Sequence, residues 1–270
     1  MVNTGERRRR LRSYLRTIEQ VFVLQFKQTA IDGFIIFTIL VQPLLIALMG
    51  LWMLRGQQDN YAVFVVIGSG MTGLWSSLLY ISGSNINVER WLGTLEMLVG
   101  TPTPLAVTVI GKTLSNVVMS LVSMVLGYIL AAIIFRFPLS ISQPLPFLIS
   151  LLLTVVAFSA FGLLIAPFFA INLQLQRWVN ALEFPMYILA GFMFPIALLP
   201  SWTTPLSYAL APYWAARALH ATSSGTPAPR ELLLSWGMML VFSVLYVAIS
   251  GWLFRVMVRR ARVDATLSLQ

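Results

Sequence analysis

The chain has 270 residues, of which 58% are hydrophobic and 10% are charged, and its formal net charge is +9. Soluble domains carry about 25% charged residues, so we interpret a chain this poor in charge as one membrane domain surrounded by lipid. The positive charge does not indicate nucleic-acid binding, because basic residues collect where a membrane protein meets the cytoplasm. The sequence contains no cysteine, which excludes disulfides and thiolate chemistry.

The first predicted element is an amphipathic helix in residues 1–33, which we assign to the cytoplasmic N-terminus. Its apolar residues recur at steps of three and four, at Leu11, Leu15, Ile18, Phe22 and Phe26. Arginine, glutamate and lysine occupy the other faces. This pattern predicts a helix that lies in the cytoplasmic interface of the membrane.

Six predicted membrane spans follow. A spanning helix needs about 20 apolar residues, and the stretches that satisfy this are Phe34–Leu54, Tyr61–Ile81, Leu105–Phe135, Pro146–Ala170, Leu182–Leu199 and Leu232–Met257. The transmembrane domain is therefore placed at residues 34–257, followed by a tail at 258–270. Lysine and arginine concentrate before the first span, after the last and in alternate connections, so both termini are predicted to be cytoplasmic.

A short charged segment, at about residues 85–100, connects the second and third predicted spans on the cytoplasmic side. We predict a single helix, for which Asn87 is the candidate N-cap. Glu89, Gly93 and Glu96 would share one of its faces. The Thr-Pro-Thr-Pro run that follows ends the helix.

Residues 200–231 are too apolar for a solvated loop, yet Pro205 and Pro212 interrupt them. We predict an external, re-entrant helical hairpin that dips into the membrane and is buried against protein. His220 has no histidine or cysteine partner that would indicate a metal site. It is therefore expected to be an exposed loop side chain.

The sequence offers no constellation of residues that indicates catalysis. Among the acidic residues only Glu183 is a candidate to enter the membrane, near the start of a helix where the helix dipole stabilises it. Lys112 is interpreted as an anchor that reaches the cytoplasmic face. No phosphate-binding loop of the G-x-x-x-x-G-K-[ST] kind is present. Energy from an ATPase on another polypeptide is therefore the simplest supply for transport.

Three stretches of the sequence resemble the membrane subunits of type-2 ABC transporters, and together they extend over nearly the whole chain. The first is Gln42-Pro43-Leu44-Leu45. The most specific is Glu89-Arg90-Trp91-Leu92-Gly93-Thr94-Leu95-Glu96-Met97-Leu98, followed by Thr101-Pro102 and Gly111-Lys112. The third is Gly191-Phe192-Met193-Phe194-Pro195, followed by Leu199-Pro200 and Pro212.

The resemblance implies a non-catalytic subunit of the bacterial inner membrane that pairs with a second copy of itself or with a related permease. Two copies of an ABC ATPase subunit would dock beneath this pair and would bind ATP and Mg²⁺, so no cofactor is expected in this chain. The resemblance places contact with the ATPase at Glu89, Arg90, Gly93, Thr94, Glu96, Thr101 and Pro102.

The end of the fifth predicted span is the candidate gate. Gly191 and Pro195 weaken the helix one turn apart, and Phe192, Met193 and Phe194 lie between them. If two copies meet at an axis, these side chains are expected to close an apolar plug, with at most one of the two phenylalanines on the axis. Ordinary packing is the alternative for these residues.

The expected substrate is amphiphilic or hydrophobic, such as a drug, a lipid-like metabolite or a peptide, because the spans are nearly without charge. Export of a lipid-linked polysaccharide of the O-antigen or teichoic-acid type is the alternative, because polysaccharide exporters share the amphipathic start. A membrane enzyme or an assembly scaffold is a more distant possibility.

Overall fold

The computed structural model describes residues 4–37, 41–53, 60–101, 103–135, 141–171, 179–193, 196–225 and 228–263. Over these ranges all regular structure is helical, which confirms the all-α class. The α-helices are α1 (Thr4–Ile31), α2 (Gly33–Ile36), α3 (Gln42–Met53), α4 (Asn60–Ser77), α5 (Asn85–Trp91), α6 (Leu95–Gly100), α7 (Leu105–Phe135), α8 (Pro144–Ile171), α9 (Val179–Leu189), α10 (Thr204–Tyr208), α11 (Ala211–Ser224) and α12 (Pro229–Val263).

Four helical stretches within the described ranges are long and apolar enough to cross a membrane: Val63–Trp91, Leu105–Leu126, Pro144–Ile171 and Pro229–Arg259. They correspond to the second, third, fourth and sixth predicted spans, and a multi-pass membrane protein is confirmed. The first and fifth predicted spans are represented by α3 and α9, which are shorter and adjoin residues outside the described ranges. The total of six spans therefore stays a prediction.

Helix α4 is the most enclosed of these spans, because α3, α7 and α11 pack around it. Leu74 and Trp75 on α4 are almost completely buried. Helix α12 differs, since it packs on α8 but exposes Val241, Val244 and Trp252 on its other side. An exposed apolar face of this length is suited to lipid rather than to water.

The end of α4 winds into a π-helical segment, Leu78–Ser82. The amide of Gly83 donates to the carbonyl oxygen of Leu78 at 2.8 Å, five residues back. Single π-helical turns inside longer helices are rare and recur at functional sites. Here the segment lies between α4 and α5.

Hydrogen bonds between side chains join α4 and its π-helical segment to α7. Ser120 Oγ donates to Ser77 Oγ at 2.8 Å, and Asn116 Nδ2 donates to Ser82 Oγ at 3.2 Å. Gly162 allows α8 to approach closely, since a Cβ there would lie 2.6 Å from a methyl carbon of α7. Lipid provides no hydrophobic drive for helix association, so close packing and such bonds stabilise the bundle.

Helix α1 covers the segment predicted to be an amphipathic helix, and it packs along α7. The two helices approach at Gly111, where a Cβ would lie 2.9 Å from the carbonyl oxygen of Ile18. Only part of the predicted apolar face is used in this contact, because Leu11 and Leu15 remain exposed. The placement of these side chains in the membrane interface stays a prediction.

The proline-rich segment that contains α10 and α11 starts each helix at a proline-containing first turn, at Pro205 and Pro212. Proline suits this position because its missing N–H group would have no partner within the helix. Helix α11 is buried against α4, α8 and α12, as expected for this hairpin. The expectation of an exposed His220 is wrong, because its ring stacks on Phe64 with 3.7 Å between ring centroids. The external, re-entrant placement stays a prediction.

Candidate coupling and gate sites

The segment predicted to contact the ATPase is two short helices rather than one. Helix α5 ends at Trp91 and α6 begins at Leu95. Gly93 lies between them with φ +70°, in the left-handed region that glycine adopts at little cost. The break separates α5 from α6, and we call the turn between them the corner.

This break corrects two sequence expectations. The residue that precedes α5 is Ser84, and Asn87 is buried inside the helix, so the prediction that Asn87 is the N-cap is wrong. Glu89 belongs to α5 and Glu96 to α6. The prediction that these two residues share one face of a single helix is therefore also wrong.

Glu89 connects α5 to α7 and also closes the corner. Lys112 Nζ on α7 donates to Glu89 Oε1 in an ion pair whose side chains are both largely buried. Thr94 Oγ1 lies against Glu89 Oε2 and is 3.2 Å from the Glu89 carbonyl oxygen. Lys112 is therefore an ion-pair partner of the corner, which the interpretation as an interfacial anchor missed.

Arg90 connects the same short helix to α8. Its Nη2 donates to the carbonyl oxygen of Ala170 at 3.3 Å, in the last turn of α8. A cation at this position interacts favourably with the helix dipole and with carbonyls that have no partner within the helix. Glu89 and Arg90 thus both make contacts inside the subunit. Their role in coupling stays a prediction.

Large apolar side chains are exposed at the corner. Trp91 is 91% exposed, and Leu92 and Met97 are also exposed; we call these three residues the Trp91 corner. Sequence reasoning missed them because it weighted the charges of the motif, although Trp91 and Leu92 stand inside it. Of the other predicted coupling residues, Thr101 is exposed, whereas the Glu96 side chain and Pro102 lie outside the described part.

The ion pair of the corner can be tested by charge exchange. Glu89→Gln and Lys112→Met are each expected to lower the free energy of unfolding by about 1 to 2 kcal/mol, between the values for exposed and buried pairs. The exchanged variant Glu89→Lys/Lys112→Glu is expected to recover most of this loss. Thermal unfolding in detergent is the measurement. An exchanged variant no more stable than either single variant contradicts a direct pair.

The predicted gate segment begins with a turn that fixes it against the rest of the subunit. Gly191 has φ +70° and follows the end of α9. A Cβ at Gly68 would lie 1.9 Å from the carbonyl oxygen of Phe192, so α4 touches the backbone here. Nε2 of His220 is 3.2 Å from the same oxygen. We call this contact of Gly68, Phe192 and His220 the Phe192 clamp.

The Phe192 side chain is completely buried, and its ring lies 6.2 Å from that of Tyr187. Met193 is half-buried, and Phe194 and Pro195 lie outside the described residues. Phe192 therefore packs inside the subunit, which does not fit a place for its ring on a symmetry axis. The gate role of Gly191–Pro195 stays a prediction.

A buried carboxylate lies one helical turn before Tyr187. Glu183 on α9 is 3% exposed. Ser76 Oγ donates to Glu183 Oε1 at 2.6 Å, and the Tyr80 hydroxyl donates to Oε2 at 2.8 Å. The Tyr187 hydroxyl donates to Oε1 and lies 2.6 Å from Ser76 Oγ. We call these four residues the Glu183 network.

The network gives a different account of Glu183 from the one based on helix position. Three hydroxyl groups surround the carboxylate, and two of them come from α4 and its π-helical segment. Charge-assisted hydrogen bonds of this kind are roughly twice as strong as neutral ones. They, rather than the helix dipole alone, stabilise the carboxylate and join α9 to α4.

A comparison of the sequence with models of known families identifies the family of the chain. No match to a curated protein is found. Residues 8–223 match the model of the ABC-2 type transporter family, and this range includes the corner, the Glu183 network and the Phe192 clamp. The resemblance noted in the sequence motifs is thereby confirmed. The chain belongs to the ABC-2 type transporter family and is a transmembrane subunit of an ABC transporter.

Proposed function

We propose that this subunit is the permease of an ATP-driven exporter. It moves an amphiphilic or hydrophobic substrate, such as a drug, a lipid-like metabolite or a peptide, out of the cytoplasm or the inner leaflet. The observation that carries the proposal is the Trp91 corner, where large apolar side chains are exposed beside the Glu89–Lys112 ion pair. Covering these side chains removes apolar area from water, and the partner that we assign to them is an ABC ATPase subunit.

The proposed assembly contains two permeases and two ATPase subunits. The second permease is another copy of this chain or a related one, and the ATPases bind ATP and Mg²⁺. We place the complex in the bacterial inner membrane, with six spans and both termini in the cytoplasm. The distribution of lysine and arginine supports this orientation, and four of the six proposed spans correspond to described helices that are long and apolar enough to cross a membrane.

Contacts behind the corner support a role in transmitting movement. Glu89 joins α5 to α7 through Lys112, and Arg90 joins α5 to the end of α8. A displacement of the corner by the ATPase would therefore move these two spans. Helix α5 also belongs to one helical stretch, Val63–Trp91, with the π-helical segment and α4. This stretch connects the corner to Ser76 in the Glu183 network.

Trp91→Ala tests the docking role. We expect it to weaken ATPase binding about thirtyfold or more, because a tryptophan at the centre of an interface commonly contributes 2 kcal/mol or more. The control is Trp202→Ala, which removes another exposed tryptophan that precedes α10. Co-purification with a co-expressed ATPase subunit, and ATP hydrolysis in proteoliposomes, are the measurements.

The two variants separate docking from folding. Both are expected to unfold near the temperature of the unmodified protein, since neither tryptophan is part of the core. Equal retention of the ATPase by Trp91→Ala and Trp202→Ala would show that the corner is not the contact. Loss of the ATPase in both would indicate a general defect of the subunit.

Export of a lipid-linked polysaccharide is the second candidate, and α1 is the observation that favours it. This amphipathic helix keeps Leu11 and Leu15 exposed, and polysaccharide exporters share such an amphipathic start. Stimulation of ATP hydrolysis by an amphiphilic drug or by a lipid-linked glycan in the reconstituted complex distinguishes the two substrates. Stimulation by neither substrate would favour a non-transport role.

A further inference from the structure

A cavity of about 670 Å³ opens between the beginning of α7 and the end of α12. Both helices are long enough to cross the membrane, so the cavity lies at the level where a span meets the headgroups. Phe254 and Val258 of α12 and Leu105 of α7 give it an apolar wall. Its occupant must therefore combine an apolar part with whatever group the polar side chains bind.

The polar side of the cavity is cationic. Arg255 and Arg259 line it, one turn apart on the same face of α12. The ion pairs found within the described ranges are Lys112–Glu89 and Arg217–Glu231, and neither involves these arginines. Arg255 Nε donates to the Gly251 carbonyl oxygen of its own helix at 3.1 Å. None of the described residues that line the cavity is acidic.

The opposite side adds groups that also suit an anion. The 31-residue helix α7 begins at Leu105 on the cavity wall. The first amides of a helix lack partners within it, and its dipole favours negative charge at this end. Thr103 precedes the helix and also lines the cavity. Two guanidinium groups and a helix start thus converge on one apolar-walled space.

We propose that this cavity binds the phosphate headgroup of an anionic phospholipid from the cytoplasmic leaflet, with its acyl chains along the apolar wall. A soluble anion would use the arginines but not the apolar wall. Anionic lipids are concentrated in the cytoplasmic leaflet, and basic pockets between spanning helices bind their headgroups. The choice of leaflet rests on the cytoplasmic C-terminus proposed above.

The bound lipid would connect the segment that follows the Trp91 corner to the last span. Val99 and Thr101 at the end of the α6 segment also line the cavity, so one headgroup would touch the segment after the Trp91 corner and the last span together. Anionic lipid is therefore expected to stabilise the subunit beyond a neutral lipid with the same acyl chains.

The test compares lipid binding to the purified subunit in neutral detergent, by native mass spectrometry and by titration of the melting temperature. The probes are phosphatidylglycerol and phosphatidylcholine with identical acyl chains. Arg255→Gln/Arg259→Gln is expected to lower the apparent affinity for phosphatidylglycerol about tenfold or more. The matched control is Arg9→Gln/Arg12→Gln, which removes two exposed arginines of α1 and is expected to retain binding.

A conservative variant keeps the test informative if the glutamine variant unfolds. Arg255→Lys/Arg259→Lys keeps both charges but not the planar guanidinium, and it is expected to retain binding of phosphatidylglycerol over phosphatidylcholine. Equal loss of binding in the α1 control, equal binding of both lipids, or undiminished binding in the glutamine variant would each overturn the site. If Arg255→Gln/Arg259→Gln lost ATPase capture but still bound phosphatidylglycerol, the cavity would belong to the partner protein, and the lipid site would also be overturned. The lipid measurements use the purified subunit without an ATPase. A failure of the proposed function would therefore leave the result on lipid binding unaffected.

Discussion

Gly68→Ala is expected to destabilise the subunit by about 3 kcal/mol or more, at the upper end of the cost of overpacking. The added Cβ would lie 1.9 Å from the carbonyl oxygen of Phe192 and 2.8 Å from its carbonyl carbon. Both atoms belong to the backbone, so no rotation of a side chain relieves the contact. Accommodation of the methyl group requires α4 and the end of α9 to separate, which breaks the Phe192 clamp.

Two other glycines provide the comparison. Gly237→Ala on α12 places its methyl group where no atom lies within 4 Å, and it is expected to be neutral or to stabilise by about 0.5 to 1 kcal/mol. Gly70→Ala meets the side chain of Met124, which is flexible and adaptable, so an intermediate loss is expected. Thermal unfolding in detergent measures all three. A Gly68→Ala variant as stable as Gly237→Ala would disprove the close backbone contact.

Glu183→Ala is expected to cost about 3 kcal/mol of stability and to abolish transport. The change removes the acceptor of Ser76, Tyr80 and Tyr187, and buried hydrogen bonds to a charged group each contribute about 1.5 to 3 kcal/mol. The three hydroxyl groups can partly satisfy one another, because Ser76 Oγ and the Tyr187 hydroxyl are 2.6 Å apart. The loss is therefore smaller than the sum of the separate bonds.

Glu231→Ala is the matched control for Glu183→Ala. The Glu231 side chain is 61% exposed and pairs with Arg217 at 3.0 Å, and exposed pairs contribute less than about 1 kcal/mol. Glu183→Gln keeps an acceptor oxygen and is expected to lie between the two. Unfolding temperature and transport by the reconstituted complex are the measurements. Equal stability of the two alanine variants would mean that the Glu183 network does not join α9 to α4.

Sequence reasoning succeeded where the relevant pattern is local. Helical periodicity predicted α1, and length with apolar composition predicted four spans that the structure contains. A glycine inside a helical pattern was the available sign of the break at Gly93, because glycine costs about 1 kcal/mol in a helix interior. The single helix predicted at about residues 85–100 instead places Gly93 on one face with Glu89 and Glu96.

The site could not be predicted where its partners are far apart in the chain. Lys112 is 23 residues from Glu89, Ala170 is 80 residues from Arg90, and Ser76 is 107 residues from Glu183. A single sequence carries no signal for such pairings, so Glu89 and Arg90 are assigned to a partner, Lys112 to the cytoplasmic face and Glu183 to the start of a helix. The prediction for His220 was wrong for the same reason, because the ring that stacks on it belongs to Phe64 of α4.

The π-helical segment Leu78–Ser82 rotates α5 relative to α4 within the helical stretch Val63–Trp91. In an α-helix each residue turns the chain by about 100°, and a π-helical turn winds more slowly because its hydrogen bonds reach one residue further. Leu78–Ser82 lies between Ser76 in the Glu183 network and Trp91 at the corner. The direction in which Trp91 faces is therefore encoded in the winding of the backbone, separately from the contacts that hold the helix. The part of the helix that follows the segment is therefore rotated relative to the part before it, compared with an uninterrupted α-helix.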